Sequence, residues 1–325
     1  MRYLAPAALT ASSLVLLLAA EGMPGPTAGG IPAAAPVAAV LPATAGAAAP
    51  ARPAAGAAPA PAPAKPAPPP VVIRGTRLAE KPGRRALAPA RIFTGTAFDA
   101  CTAPPLETMR AWKEDSPYGA VGIYVSGGQR GCAQPRLTAG WVREVRAMGW
   151  QLIPTHVGLQ APCATLGAKP HRIDPAAAVR QGKEEAAEAA AALRALGLGP
   201  GSPVYLDIES YPRGDRRCSQ GVVDFTLSWT RALHAAGFRS GFYSSTDSGI
   251  ADLAAAARAG ASPLPDALWY ARWDDRADTT STTALDPGQW SPHARIHQYR
   301  GNTTETHGGA TLAIDHNAAD APVAT

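Results

Sequence analysis

Two carboxylates stand two residues apart at the end of an apolar run, Val204-Tyr205-Leu206-Asp207-Ile208-Glu209. The run follows Pro203 and alternates apolar with polar side chains, which predicts a short strand. Residues two apart on a strand share a face, so Val204, Leu206 and Ile208 fall on one side and Tyr205, Asp207 and Glu209 on the other, each about 6–7 Å from the next along the strand. Carboxyl pairs at such spacing suit acid-catalysed cleavage of a glycosidic bond: one delivers a proton to the leaving oxygen and the other supports positive charge at the anomeric carbon. An Asp-x-Glu also occurs at solvated strand edges. Here the flanking Val, Leu and Ile mark a central strand, where an unpaired acid is costly.

The elements that must position these acids follow from periodicity. Strands are predicted at 92–98, 120–125, 151–156, 204–208, 240–243, 267–271, 294–298 and 311–314. Helices fall between several of them. Thr138 caps one that carries Trp141, Val145 and Met148. Asp174-Pro175 opens a second, with Val179, Ala186, Leu193 and Leu196 on one face until Gly197 stops it. Val222, Phe225, Trp229, Leu233 and Ala236 mark a third, ended by Gly237. Tryptophans in such stripes belong to the core. The α/β alternation over roughly 230 residues fits a single (β/α)8 barrel of the TIM type, helix-poor in its last units, with chemistry at the C-terminal strand ends. Asp99 ends the first strand, Asp207 and Glu209 the fourth, and Asp315 the eighth. Strands one and eight are neighbours in a closed barrel, so four acids converge on one rim.

The remaining sequence divides into segments. Residues 1–20 have one early basic residue, Arg2, then the apolar stretch Leu14–Leu18 and Ala19-Ala20, the pattern of an export signal. Retention as an N-terminal anchor is the other reading of that segment. Residues 21–90 are read as a linker: almost entirely Ala, Pro, Gly and Thr to about Pro70, which predicts a disordered tether, then basic with Arg74, Arg77, Lys81, Arg84 and Arg85. The formal net charge of +5 resides there, since residues 1–90 hold eight Lys or Arg and two Glu, leaving 22 basic and 23 acidic residues. Nucleic-acid binding gains no support from such a balance, whereas the basic linker suits contact with an anionic cell-wall polymer. The barrel is expected over 91–318, with 319–325 as a C-terminal tail.

Cys101, Cys132, Cys163 and Cys218 include no Cys-x-x-Cys pair. In an exported chain they predict two disulfides. Each follows a different one of the first four strands, so they are expected in loops on the acid-bearing face. Neighbouring loops favour Cys101 with Cys132 and Cys163 with Cys218 among the three connectivities.

The region from Arg91 to about Asn317 resembles the glycoside-hydrolase-like domain of secreted actinobacterial proteins, a relative of the Chalaropsis-type lysozymes. The matching pieces are Gly95-Thr96-Ala97-Phe98-Asp99, Pro203 to Glu209, Gly241-Phe242-Tyr243-Ser244-Ser245, Leu268-Trp269-Tyr270-Ala271, His297-Gln298-Tyr299 and Ile314-Asp315-His316-Asn317. The resemblance implies that Glu209 is the general acid and that Asp207 stabilises positive charge or orients an acetamido group. Asp99 and Asp315 then fill the remaining acidic corners, and Glu209 needs burial and acidic neighbours to raise its pKa. Gly95 and Asp99 stand four apart where those lysozymes have a tight Gly-x-Asp, and the segment from Ile123 to Gly128 is similar to the uncharacterised relatives. Tyr205, Tyr243, Trp269, Trp273 and Gln298 complete the candidate set as substrate contacts.

The expected function is a secreted or envelope-associated hydrolase of cell-envelope polysaccharide, peptidoglycan first. The alternative is a silent barrel that binds surface glycan by stacking sugars on Trp269, Trp273 and Tyr243. A metal-dependent reaction ranks third, because His156, His297 and His316 share no strand face at ligand spacing. No Gly-x-Ser-x-Gly elbow supports a serine hydrolase. No cofactor or metal is expected, the partner is a polysaccharide, and the chain is read as a monomer.

Overall fold

The structure, a computed structural model, describes residues 72–79 and 86–325. The export signal and the Ala/Pro-rich tether lie outside the described residues. From Arg91 the chain runs β1 (Arg91–Asp99), α1 (Leu106–Asp115), β2 (Ala120–Ser126), α2 (Ala139–Ala147), β3 (Gln151–His156), α3 (Ala178–Ala195) and β4 (Pro203–Asp207). It continues through α4 (Arg216–Ala236), β5 (Arg239–Ser245), a π-helical turn at Thr246–Ile250, α5 (Ala251–Arg258), β6 (Ala267–Ala271), β7 (Arg295–His307) and β8 (Ala310–Val323). The eight strands close into a barrel in chain order.

The first seven strands are parallel, but β8 pairs antiparallel with both β7 and β1. The closed α/β barrel forms as expected, with its last strand reversed. A two-residue turn joins β7 to β8, too short for the crossover that a parallel strand requires. The predicted strand at 311–314 is the start of a longer one. Residues 319–323, read from sequence as a tail, continue that strand and pair with β1 from Gly95 back to Arg91.

Local chemistry explains the helix ends. The Thr138 side chain accepts from the Trp141 N–H, Asp215 caps α4, and left-handed Gly237 closes it. The second predicted helix starts later than expected, at Ala178, because Asp174 Oδ1 accepts from Ala176 N–H and holds a turn ahead of α3. Trp112, Trp141 and Trp229 are core residues between the strands and the helical ring.

Inside the barrel, Tyr205 and Trp269 fill the space left by Ala97, Ala120 and Ala319. Two glycines admit this packing. A Cβ at Gly241 would lie 2.2 Å from the Tyr205 ring, and one at Gly122 would lie 2.6 Å from the Asp99 Cβ and 3.2 Å from Trp269.

Part of the expected linker is docked. Ile73 is buried, Arg74 N–H donates to Gln220 Oε1 at 2.8 Å, and Thr76 Oγ1 donates to Asp224 Oδ1 at 2.9 Å. Arg77 bridges to Ser262 beside the start of β6. Two disulfides, Cys101–Cys132 and Cys163–Cys218, form with the expected pairing. Cys218 lies in the first turn of α4, not in the loop expected for it.

Candidate active site

β1 and β4 end on Asp99 and Asp207, and β8 brings Asp315 into register opposite Asp99. Glu209 lies two residues beyond β4, in a loop and not on the strand face expected for it. Gln160, fully buried after β3, fixes that exit: its Nε2 donates to the Asp207 carbonyl at 2.9 Å, and its Oε1 accepts from Glu209 N–H at 2.8 Å. All four acids then line one cleft of about 390 Å³, together with Tyr124, Lys169, Tyr243, Trp269, Trp273 and Gln298.

Asp315 reaches the rim from the middle of an antiparallel strand, not from a C-terminal strand end. Bulges in β7 after Gln298 turn Asn302 toward it, and Asn302 N–H donates to Asp315 Oδ1 at 2.6 Å. Tyr124 donates to Asp99 Oδ2 at 2.8 Å, and Asn317 Nδ2 donates to Asp99 Oδ1 at 2.8 Å. The Gln298 amide joins these groups. Its Oε1 accepts from Tyr243 at 3.0 Å and Trp273 at 3.2 Å, while its Nε2 donates to Asp99 at 3.3 Å and Asp315 at 3.4 Å.

Tyr205 is not a substrate contact. It faces inward as predicted but lies below the cleft, where it packs edge-on against Trp269 and donates to the Pro322 carbonyl at 2.9 Å. Trp269 is the floor of the cleft rather than a stacking platform, being 2% exposed with its indole N–H bound to Asn317 Oδ1 at 2.7 Å. Trp273, 57% exposed, presents its ring at the rim. The three histidines are elsewhere: His156 bonds Ser126 and Glu185, His297 bonds backbone carbonyls, and His316 bonds Tyr118 and Thr303.

Lys169, which also lines the cleft, is among the residues that sequence reading missed, with Tyr124, Gln160 and Asn317. It lies in the irregular β3–α3 loop, where no periodicity marks it. Its ammonium hydrogen-bonds Glu209 Oε1 and stands 3.6 Å from Asp207 Oδ2. The loop around it is tied down by Cys163–Cys218 and by Arg172, which donates to the carbonyls of Ala164, Leu166, Lys169 and His171. Gln129 adds a two-way link, donating to the His171 carbonyl at 3.1 Å and accepting from its N–H at 2.6 Å.

Burial and unlike neighbours divide the acids. Burial, then Asp315, pushes the Asp99 carboxyl up to about 7 against its three donors. Burial, then Glu209, pushes Asp207 up to about 8, with Lys169 pulling the other way. Asp315 is also raised, mainly by burial, against the Asn302 N–H. Burial lowers Lys169, but Asp207 and Glu209 outweigh it and hold the ammonium above its ordinary value. Burial, then Asp99 for Tyr124 and Glu209 for Tyr243, keeps both phenols protonated as donors. Near neutral pH Asp99 and Asp207 thus retain protons in a cleft that also holds the Lys169 ammonium.

Three solved structures are similar to the chain at low identity. An uncharacterized B. stearothermophilus protein is 18% identical (TM-score 0.46), the match covering 69% of this chain and 95% of that one. The catalytic domain of the endolysin ply40, from bacteriophage P40 of Listeria monocytogenes, is 16% identical (0.41; 70% and 93%), and a muramidase from Acremonium alcalophilum 17% (0.40; 69% and 92%). Among curated proteins none matches the chain. The family model described as "Rv2525c-like, glycoside hydrolase-like domain" matches residues 110–319, from α1 through most of β8 and including Asp207, Glu209 and Asp315. By that match the chain belongs to the Rv2525c-like glycoside hydrolase-like domain family.

Proposed function

We propose that this protein hydrolyses a glycosidic bond in a cell-envelope polysaccharide, with peptidoglycan the first substrate, and that it works outside the cytoplasm. The observation that carries this reading is the cleft itself: Asp207 and Asp99 hold protons to near-neutral pH beside the ion-paired carboxylate of Glu209, under the exposed ring of Trp273. Two disulfides favour an oxidising compartment. The basic segment before β1 supplies attraction to anionic wall polymer, which keeps the cleft near its substrate.

The second reading, a silent glycan-binding barrel, is favoured by one contact. Glu209, the acid implied by resemblance, is engaged by Lys169. Purified peptidoglycan incubated with the full chain separates the two. Turnover gives new reducing ends by mass spectrometry, and Glu209→Gln lowers their rate by roughly a hundredfold while oligosaccharide binding persists. If wild type and Glu209→Gln bind the same oligosaccharide equally and neither releases product, the silent barrel replaces the hydrolase. Trp273→Ala weakens binding by roughly two- to tenfold in either case, because stacked aromatic contact is worth about 0.5–1.5 kcal/mol.

A further inference from the structure

We infer that the end of the barrel opposite the cleft carries a second binding site, a basic groove that takes a linear polyanion of phosphodiester-linked polyol units. The inference does not depend on whether the cleft turns over substrate.

The groove encloses about 520 Å³ between the start of β1, helix α2 and the turns that follow α2 and α3. Arg91, Arg143 and Arg146 line it, and no acidic residue does. Arg91 and Gln151, both in the lining, open β1 and β3, whereas Asp99 and Asp207 in the cleft close β1 and β4. Parallel strands therefore put the two sites at opposite ends.

The positive charge there is uncompensated. Among the described residues no Asp or Glu side chain pairs with Arg91, Arg143 or Arg146, and Arg146 only donates to the Thr325 carbonyl at 3.2 Å. Lys113 adds a cation at the margin, 5.0 Å above the ring of Trp150. Residues 91–325 hold 22 basic and 23 acidic residues, so three arginines without an acid depart from the average surface. A cation in the last turn of a helix stabilises its carbonyl end, which accounts for Arg146 in α2. It does not account for Arg91 at a strand start or for Arg143 nearly a turn earlier. Arg143 and Arg146 are three apart on one helix face, about 5–6 Å between Cβ atoms. With Arg91 from a separate element they form a row suited to repeated charges.

The lining also selects the kind of chain. Guanidinium forks match phosphate oxygens. A sugar polymer would want an exposed aromatic face, but Trp150 is 1% exposed, and Ala139, Val142 and Leu196 offer apolar wall that suits the methylenes of a polyol. A recessed groove favours a single chain over a flat lipid surface. The protein's own linker has the wrong sign to fill it: Lys81, Arg84 and Arg85 lie six to ten residues ahead of Arg91 and extend its positive charge.

The test is calorimetric binding of a synthetic glycerol phosphate oligomer to the full chain at two ionic strengths. Wild type should bind, and more weakly at the higher salt. The triple variant Arg91→Gln, Arg143→Gln, Arg146→Gln should lose roughly tenfold or more, while lysine at the same three positions keeps most of the affinity. Arg143→Glu alone, at an exposed position, should lose more than Arg143→Gln at an unchanged melting temperature, so the result does not hang on the folding of the triple variant. Glutamine at Lys81, Arg84 and Arg85 should cost less than the groove variant, and the reverse order would assign binding to the linker and overturn the inference. Absence of binding by wild type, equal binding by the groove variant, equal affinity for polygalacturonate, or tighter binding to phosphatidylglycerol vesicles would each overturn it as well.

Discussion

Gln298 shows how one uncharged side chain can set the state of several charged ones. Its amide is used at both ends, accepting from Tyr243 and Trp273 and donating to Asp99 and Asp315, so its orientation is fixed by its neighbours. Gln298→Leu removes a donor from each of the two acids and takes the acceptor from the Tyr243 O–H and from the Trp273 N–H at the rim. Leaving buried polar groups unpaired costs about 1–3 kcal/mol, so the midpoint of urea unfolding should fall accordingly, and glycan binding should weaken because Trp273 loses its anchor. An unchanged midpoint would show that water replaces the amide without loss. Residue by residue, legibility followed the source of the signal. The four acids could be read because each lies at or near the end of an apolar segment with a fixed alternation. Tyr205 was assigned the right face and the wrong depth, since alternation gives inward or outward while strand tilt and stagger decide the layer. Lys169 and Gln160 lie in an aperiodic loop, and only the folded chain brings them to Glu209.

Among the elements, the segment at 72–79 was least visible, because its composition continues a stretch with no hydrophobic period. Its attachment rests on the buried Ile73 side chain, on the bonds to Gln220 and Asp224, and on pairing with Ser262, where Leu78 N–H and the Thr76 carbonyl bond the Ser262 backbone at 2.8 and 3.0 Å. Deleting residues 21–71 should leave the melting temperature nearly unchanged. Extending the deletion to residue 79 re-exposes the surface that Ile73 covers and should cost about 1.5–3 kcal/mol, or several degrees for a domain of this size. Calorimetry of the two deletions decides, and equal melting temperatures would mean that the docked segment adds no stability. The β7–β8 hairpin was obscure for a different reason. Thr303 to His307 are mostly polar and alternate between half-buried and exposed, a pattern that reads as loop until Tyr118, Glu305 and His316 are seen to bond one another.

At the scale of the whole molecule, the barrel followed from the number and alternation of segments, but the reversal of β8 did not, because strand direction leaves no trace in a short apolar run. The closed barrel concentrates acids at one end, and this has a consequence for stability. Asp99 and Asp207 have folded-state values of about 7 and about 8 against an ordinary 3.8, and Asp315 is raised as well. The folded chain therefore binds more protons than the unfolded chain through that window, and stability falls as pH rises from about 4 toward 8. Asp278, Glu305 and Asp320 act in the opposite sense, each held below its ordinary value by hydrogen bonds that outweigh its partial burial, so their contribution is lost as pH falls through the acid range. The two trends place the stability maximum near pH 4. Thermal melts at constant ionic strength should show the highest melting temperature there and a drop of several degrees by about pH 9. Asp207→Asn cannot ionise, so it should flatten the alkaline arm while leaving the acid arm in place. A melting temperature that climbs steadily from pH 5 to 9 would mean that these carboxyls are ionised without penalty, and the cleft would then hold no proton to deliver at neutral pH.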